Sequence, residues 1–120
     1  MTVDELLARL VPGGALGIVC CPSARHADAL LEELVPLLAA PLEAEVHLTR
    51  REIWFAQGVR LRFQSGALDR TAHVFDGLRP TFIWFPRMPV EEVWDQATRC
   101  CGVVIWSDWI PRALGRPPER

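Results

Sequence analysis

Cysteine occurs as two adjacent pairs, Cys20-Cys21 and Cys100-Cys101. Four converging thiolates would hold a tetrahedral metal ion. Neighbouring strand residues point to opposite faces, so each pair offers one ligand readily and a second only with distortion. The first pair closes an apolar run and the second precedes one, which puts them at opposite ends of a parallel sheet. Buried free thiols fit these positions better than a metal site. Serine occurs only at 23, 65 and 107, never in the Gly-x-Ser-x-Gly turn that exposes a hydrolase nucleophile. His26, His47 and His73 are scattered, without the His-x-x-x-His spacing that suits zinc. Glu32-Glu33 and Glu91-Glu92 are adjacent, so on helices their carboxylates diverge. All 13 basic residues are arginine, which excludes a Walker A lysine, a Schiff-base lysine and a lysine general base. These patterns predict a protein that binds rather than turns over, with no cofactor. One enzymatic reading stays open: Ser107-Asp108 follows a predicted strand, where α/β sheets place active groups.

Arginine distribution is more informative. Residues 1–49 carry a net charge of −5, residues 50–87 a net +4 and the remainder −1, within an overall −2. Arg50, Arg51, Arg60, Arg62 and Arg70 would form an anion-facing surface able to follow a phosphate backbone. The alternative is that they line the wet face of surface strands. Ser23 and Arg25 stand at a strand-to-helix turn, where free amides and a guanidinium could hold a phosphate. Of five tryptophans, Trp84 and Trp106 read as core. Trp54 and Trp109 read as exposed anchors, against a partner protein or stacked on bases.

The elements that must position these residues are legible in outline. Thr2-Val-Asp-Glu5 is a capping box ahead of Leu6, Leu7 and Leu10, and Pro12-Gly-Gly14 ends that helix. Ala15–Cys21 is continuously apolar, as in a strand buried on both faces. Ser23 would cap a helix whose apolar face is Ala27, Leu30, Leu31, Leu34, Leu37 and Leu38. Pro36 should kink or restart it. Residues 46–50 and 53–56 read as strands, and Val59–Gln64 alternates apolar with Arg60, Arg62 and Gln64, the mark of a half-exposed antiparallel hairpin. Ala67–Phe75 reads as a short helix or an ordered loop. Thr81–Phe85 is a second buried strand, Val90–Cys101 a helix closed by Gly102, and Val103–Trp106 a third buried strand.

With 120 residues, half of them apolar and 23% charged, the chain suits one globular domain over 1–110 and a loose Pro/Arg-rich tail over 111–120. Its longest apolar stretch, Leu34–Leu42, contains Pro36 and Pro41 and is too short to span a bilayer. No signal segment is legible, so the expected compartment is the cytoplasm and no membrane partner is expected. Alternating strands and helices predict an α/β domain of three layers, mostly parallel with an antiparallel hairpin.

Four segments carry a likeness. Cys21-Pro-Ser-Ala-Arg25 ends a strand before a long helix. Gln57-Gly58 leads into Val59-Arg-Leu-Arg-Phe63. Gly77-Leu-Arg-Pro80 precedes Thr81–Phe85, with Val103–Ser107 after it. In order and spacing these resemble the RecA-like core of P-loop ATPases, notably phage terminase large subunits and related helicases, over residues 15–109. The resemblance implies a segment following the Walker A helix, a basic strand, an approach to the Walker B strand and a coupling-motif strand. It also departs from the family. No glycine-rich lysine turn is present, and Phe85-Pro-Arg87 stands where Walker B acids would hold magnesium-bound water. Residues 91–109 are similar as well to P-loop-less RecA relatives that inhibit cell division or assist mutagenic repair. The expectation is a degenerate, non-catalytic RecA-like module of phage or mobile-element type that binds nucleic acid. The alternative is a small regulatory or host-takeover protein that binds another protein. In the family's sheet the P-loop strand adjoins the coupling-motif strand, so its loss would leave Val103–Trp106 at an edge. The N-terminal helix would cover that edge, or two copies would pair there.

Overall fold

A strand with no wet face needs neighbours on both edges, and Leu16–Cys21 (β1) has them. In the computed structural model, which describes residues 2–10, 16–42, 44–55, 58–65 and 79–112, β1 pairs in parallel with Arg60–Ser65 (β4) on one side and Phe82–Phe85 (β5) on the other. Beyond β5 lies Val104–Trp106 (β6), also parallel. Beyond β4 lie Glu52–Trp54 (β3) and Glu45–His47 (β2), each antiparallel to its neighbour. The chain is thus α/β, with a mixed and mostly parallel six-stranded sheet in the order β2-β3-β4-β1-β5-β6.

Strand alternation divides the core in two. Val19, Cys21, Leu61, Phe63, Phe82 and Trp84 meet Leu30, Leu31, Leu34 and Leu38 of the helix Ala24–Leu42 (α2) and Leu6 of Val3–Leu10 (α1). Ile18, Cys20, Ile83 and Phe85 meet Val93 and Ala97 of Glu91–Cys100 (α3). The hydroxyl half of each expected cap forms. The Thr2 hydroxyl accepts from the Glu5 amide and the Ser23 hydroxyl from the His26 amide, each at 3.1 Å.

At Gly17 the close approach is real, because a Cβ there would overlap the buried Phe82 ring of the facing strand.

Several expectations change. The helix runs through Pro36 and Pro41 as one 19-residue element. Pro36 is exposed, as is Glu32 one turn earlier, so water can reach the carbonyl that the proline leaves unbonded. The expected antiparallel hairpin forms between β3 and β4, with Arg60 exposed, but β4 also pairs in parallel with β1 on its second edge. Strand β6 stands at the sheet edge and is only half-buried, not a third buried strand. Its Trp106 is 50% exposed rather than core, since α3 covers Phe85 and leaves the last strand beside it open. The N-terminal helix makes its main contacts with α2 and β1 rather than with β6. Cys100 is exposed, while Cys20, Cys21 and Cys101 are buried. Within the expected tail, Pro111 is buried and the Arg112 amide donates to Glu33 of α2 at 3.0 Å. The expected element at 67–75 and Arg70 lie outside the described residues, as does the tail from 113 onward. No helix among the described residues is long and apolar enough to cross a membrane.

Candidate nucleic-acid interface

The antiparallel strands carry one distinctive sheet face. Register places Trp54 opposite Arg60 on β4 and Glu45 on β2, and Glu52 opposite Arg62 and His47. Directly opposed residues share a face, so these six side chains stand together. The face is the one that α3 packs on elsewhere, but the α3 cluster stops at β1, β5 and β6. Among the described residues no helix covers the β2-β3-β4 half.

Trp54 is the centre of that half. The His47 ring lies against it with centroids 4.2 Å apart. Two guanidinium groups stand over the indole, Arg60 at 5.3 Å and Arg50 at 5.8 Å from the ring centroid. Arg50 and Arg60 are exposed, so each cation–π contact contributes about 0.5–1 kcal/mol. The indole N–H donates to Glu52 Oε1 at 2.9 Å, and Glu52 Oε2 faces Arg62 Nε at 3.3 Å. Glu52 is only 6% exposed. A buried carboxylate needs such partners, because desolvating it alone would cost several kcal/mol (order of magnitude). The chain Arg62–Glu52–Trp54 therefore fixes the ring while consuming the charge of Arg62.

Of the seven candidate anion-binding residues, the six that are described do not form one surface. Arg50 and Arg60 do come together, around Trp54. Arg62 is spent on Glu52. Arg51 turns to the other side of the sheet, where its Nε donates to Asp28 of α2 at 2.7 Å. That hydrogen bond holds Asp28 below the usual carboxylate range and raises Arg51. It also anchors Arg51 in the left-handed backbone region at φ 52°, which closes the β2–β3 turn. Ser23 is occupied in capping α2, and Arg25 is exposed on that helix's first turn, away from Trp54. Trp109 is half-buried, edge-to-face with Trp84 at 5.8 Å, so most of its anchoring capacity is already spent within the core. Glu52 and His47 were absent from the candidate set. The signal for Glu52 is the spacing Glu52-x-Trp54, which on a strand puts carboxylate and indole side by side, whereas His47 reaches Trp54 only through the β2–β3 pairing.

A second cluster gathers at the carboxyl ends of β1, β5 and β6. Chain connections diverge between β1 and β5, where α/β sheets form a crevice. Here His26 is buried. Burial, then the nearby Arg87, push its pKa below the usual histidine value against an opposing bond to the Trp109 backbone. Asp108 accepts from the Trp106 indole at 2.9 Å, and the Ser107 carbonyl from Trp84 at 2.9 Å. Burial raises the Cys20 thiol strongly and pushes Cys21 up to about 12, so both stay protonated and unreactive near neutrality. Among the described residues no group of three or more His, Cys, Asp or Glu could hold a metal ion.

Compared with known protein families, curated proteins and solved structures, the chain matches none.

Proposed function

We propose that this chain is a non-catalytic, cytoplasmic binding module, a degenerate RecA-like three-layer domain of phage or mobile-element type that holds nucleic acid through Arg50, Arg60 and Trp54. The observation that carries the reading is the indole with two exposed guanidinium groups over its ring, on a sheet face that no helix among the described residues covers. Guanidinium groups neutralise phosphates and an aromatic face takes bases, so the trio offers both halves of a nucleic-acid contact. The scaffold part of the proposal is supported by β1, β5 and β6 standing parallel in that order with β6 at the edge. The non-catalytic part is supported by exposed Arg87 just beyond β5, since a cation there repels a nucleotide-bound metal.

Fluorescence anisotropy with a labelled oligonucleotide over a salt series tests the proposal. Affinity should fall as salt rises. The Arg50→Ala/Arg60→Ala double variant should flatten the log–log slope by about 0.7–0.9 for each lost phosphate contact. Binding that ignores salt, or no binding, refutes it.

A second reading, a regulatory protein that binds another protein, is favoured by a different feature. Met88, Val90, Trp106 and Ile110 are exposed apolar residues around β6, beside a hollow of about 300 Å³ lined by Met88, Pro89, Glu91, Trp94 and Trp106. A stable dimer or hetero-complex abolished by Trp106→Arg would support it.

A further inference from the structure

We infer that the Trp54 face takes single-stranded rather than duplex nucleic acid, with one base stacked on the indole. This inference rests on the nucleic-acid reading above and specifies its ligand.

The shape of the platform decides between the two forms. Strands β2 and β3 are three residues each. With their neighbour β4 they make a patch about 10 Å wide and about 10 Å long at ordinary strand spacings. Among the described residues its side chains rise from a sheet and not from a protruding helix or ribbon that would enter a groove. A duplex could touch such a patch only with phosphates. An indole meets the face of a base only where the bases are unstacked and free to turn outward.

Ring geometry points the same way. The only polar atom of the indole is directed at Glu52 Oε1, 2.9 Å away, so it is not available to read a base edge. What Trp54 offers is π surface, which accepts any base. His47 lies on the ring at 4.2 Å, while Arg60 and Arg50 are held less closely at 5.3 and 5.8 Å. Base–indole stacking is stronger than an exposed guanidinium–indole contact. An arriving base therefore displaces the guanidinium groups, which remain beside it to meet its flanking phosphates. Glu45, opposite Trp54 on β2 and 3.4 Å from His47, sets the acidic limit of the platform. The strand's backbone accordingly runs on the Arg50 and Arg60 side.

Tryptophan fluorescence of the full chain, titrated with a 12-nucleotide oligo(dT) and separately with a 12-base-pair duplex, distinguishes the possibilities. The single strand should bind at least about tenfold more tightly. It should quench a component of emission that is missing in Trp54→Phe, a variant that keeps a stacking ring. Trp54→Leu should lower single-strand affinity about tenfold with little change in salt slope, whereas Arg60→Ala should reduce that slope. Near-ultraviolet circular dichroism of each variant checks that the fold is kept. Duplex binding as tight as single-strand binding, or single-strand binding with the Trp54 component unchanged, overturns this inference and leaves nucleic-acid binding standing. Binding of neither overturns both.

Discussion

Glu52 accepts the Trp54 indole proton at 2.9 Å from a position where its own carboxylate is almost wholly buried. Two residues apart on one short strand, they convert a mobile aromatic side chain into a fixed platform, with Arg62 balancing the charge at 3.3 Å. Removing the carboxylate leaves both the indole N–H and the Arg62 guanidinium without their partner. Glu52→Ala should therefore lower stability by about 1–3 kcal/mol, and Glu52→Gln, which can still accept from the indole, by less. Urea unfolding midpoints would show the order; equal losses would mean that the hydrogen bond contributes nothing.

Gly17 makes a separate prediction. A methyl group there collides with the Phe82 ring inside the core. Gly17→Ala should cost about 1–3 kcal/mol by overpacking, and the double variant Gly17→Ala/Phe82→Leu should recover part of it. Additive losses in a thermal-unfolding cycle would contradict the contact.

His26 sets an acid limit. Its folded-state pKa lies below the ordinary value of 6.5 because of burial and then Arg87. The unfolded chain thus binds the proton more readily, and stability falls as pH drops from about 6.5 towards the lowered folded value. Above that window the group is neutral in both states and adds no pH dependence. Denaturant unfolding at pH 7.5 and 5.5 should show a smaller loss in His26→Gln than in the parent. The Asp28–Arg51 pair acts in a lower window, since Asp28 is depressed and its contribution disappears only as pH falls below about 3.8. An identical pH response in parent and variant would contradict this role for His26.

Thiol accessibility gives a fourth expectation. Only Cys100 of the four cysteines is exposed. One thiol per chain should react rapidly with a chromogenic disulfide in the native state, and the other three only on unfolding. Rapid reaction of more than one would contradict the packing of Cys20, Cys21 and Cys101.

Elements were more legible than their neighbours. The apolar runs at Leu16–Cys21 and Phe82–Phe85 and the helical period of Leu30, Leu34 and Leu38 announced their own structure because each pattern follows a backbone period. Alternation in Arg60–Ser65 revealed one polar face, but it carries no information on which strand lies alongside, so the pairing of β4 with β1 was hidden. Exposure of Trp106 depends on β6 ending the sheet, a property of strand order and not of the strand. The arginines were the least legible part. Whether a guanidinium is free depends on acids that approach from elsewhere, Asp28 across 23 residues for Arg51 and Glu52 across the β3–β4 pairing for Arg62. Composition counted those charges as available, and folding neutralised them.

Nucleic acid held on the β2-β3-β4 face at Trp54 is a proposal about location as well as function. Photo-cross-linking of an iodouracil-substituted oligonucleotide to the intact chain, followed by peptide sequencing, reads that location directly. The account predicts the label within residues 45–65, with loss of yield in Arg50→Ala/Arg60→Ala. A label confined to the α2 start at Ser23 and Arg25 or to the β6 edge, or none at all, would contradict it.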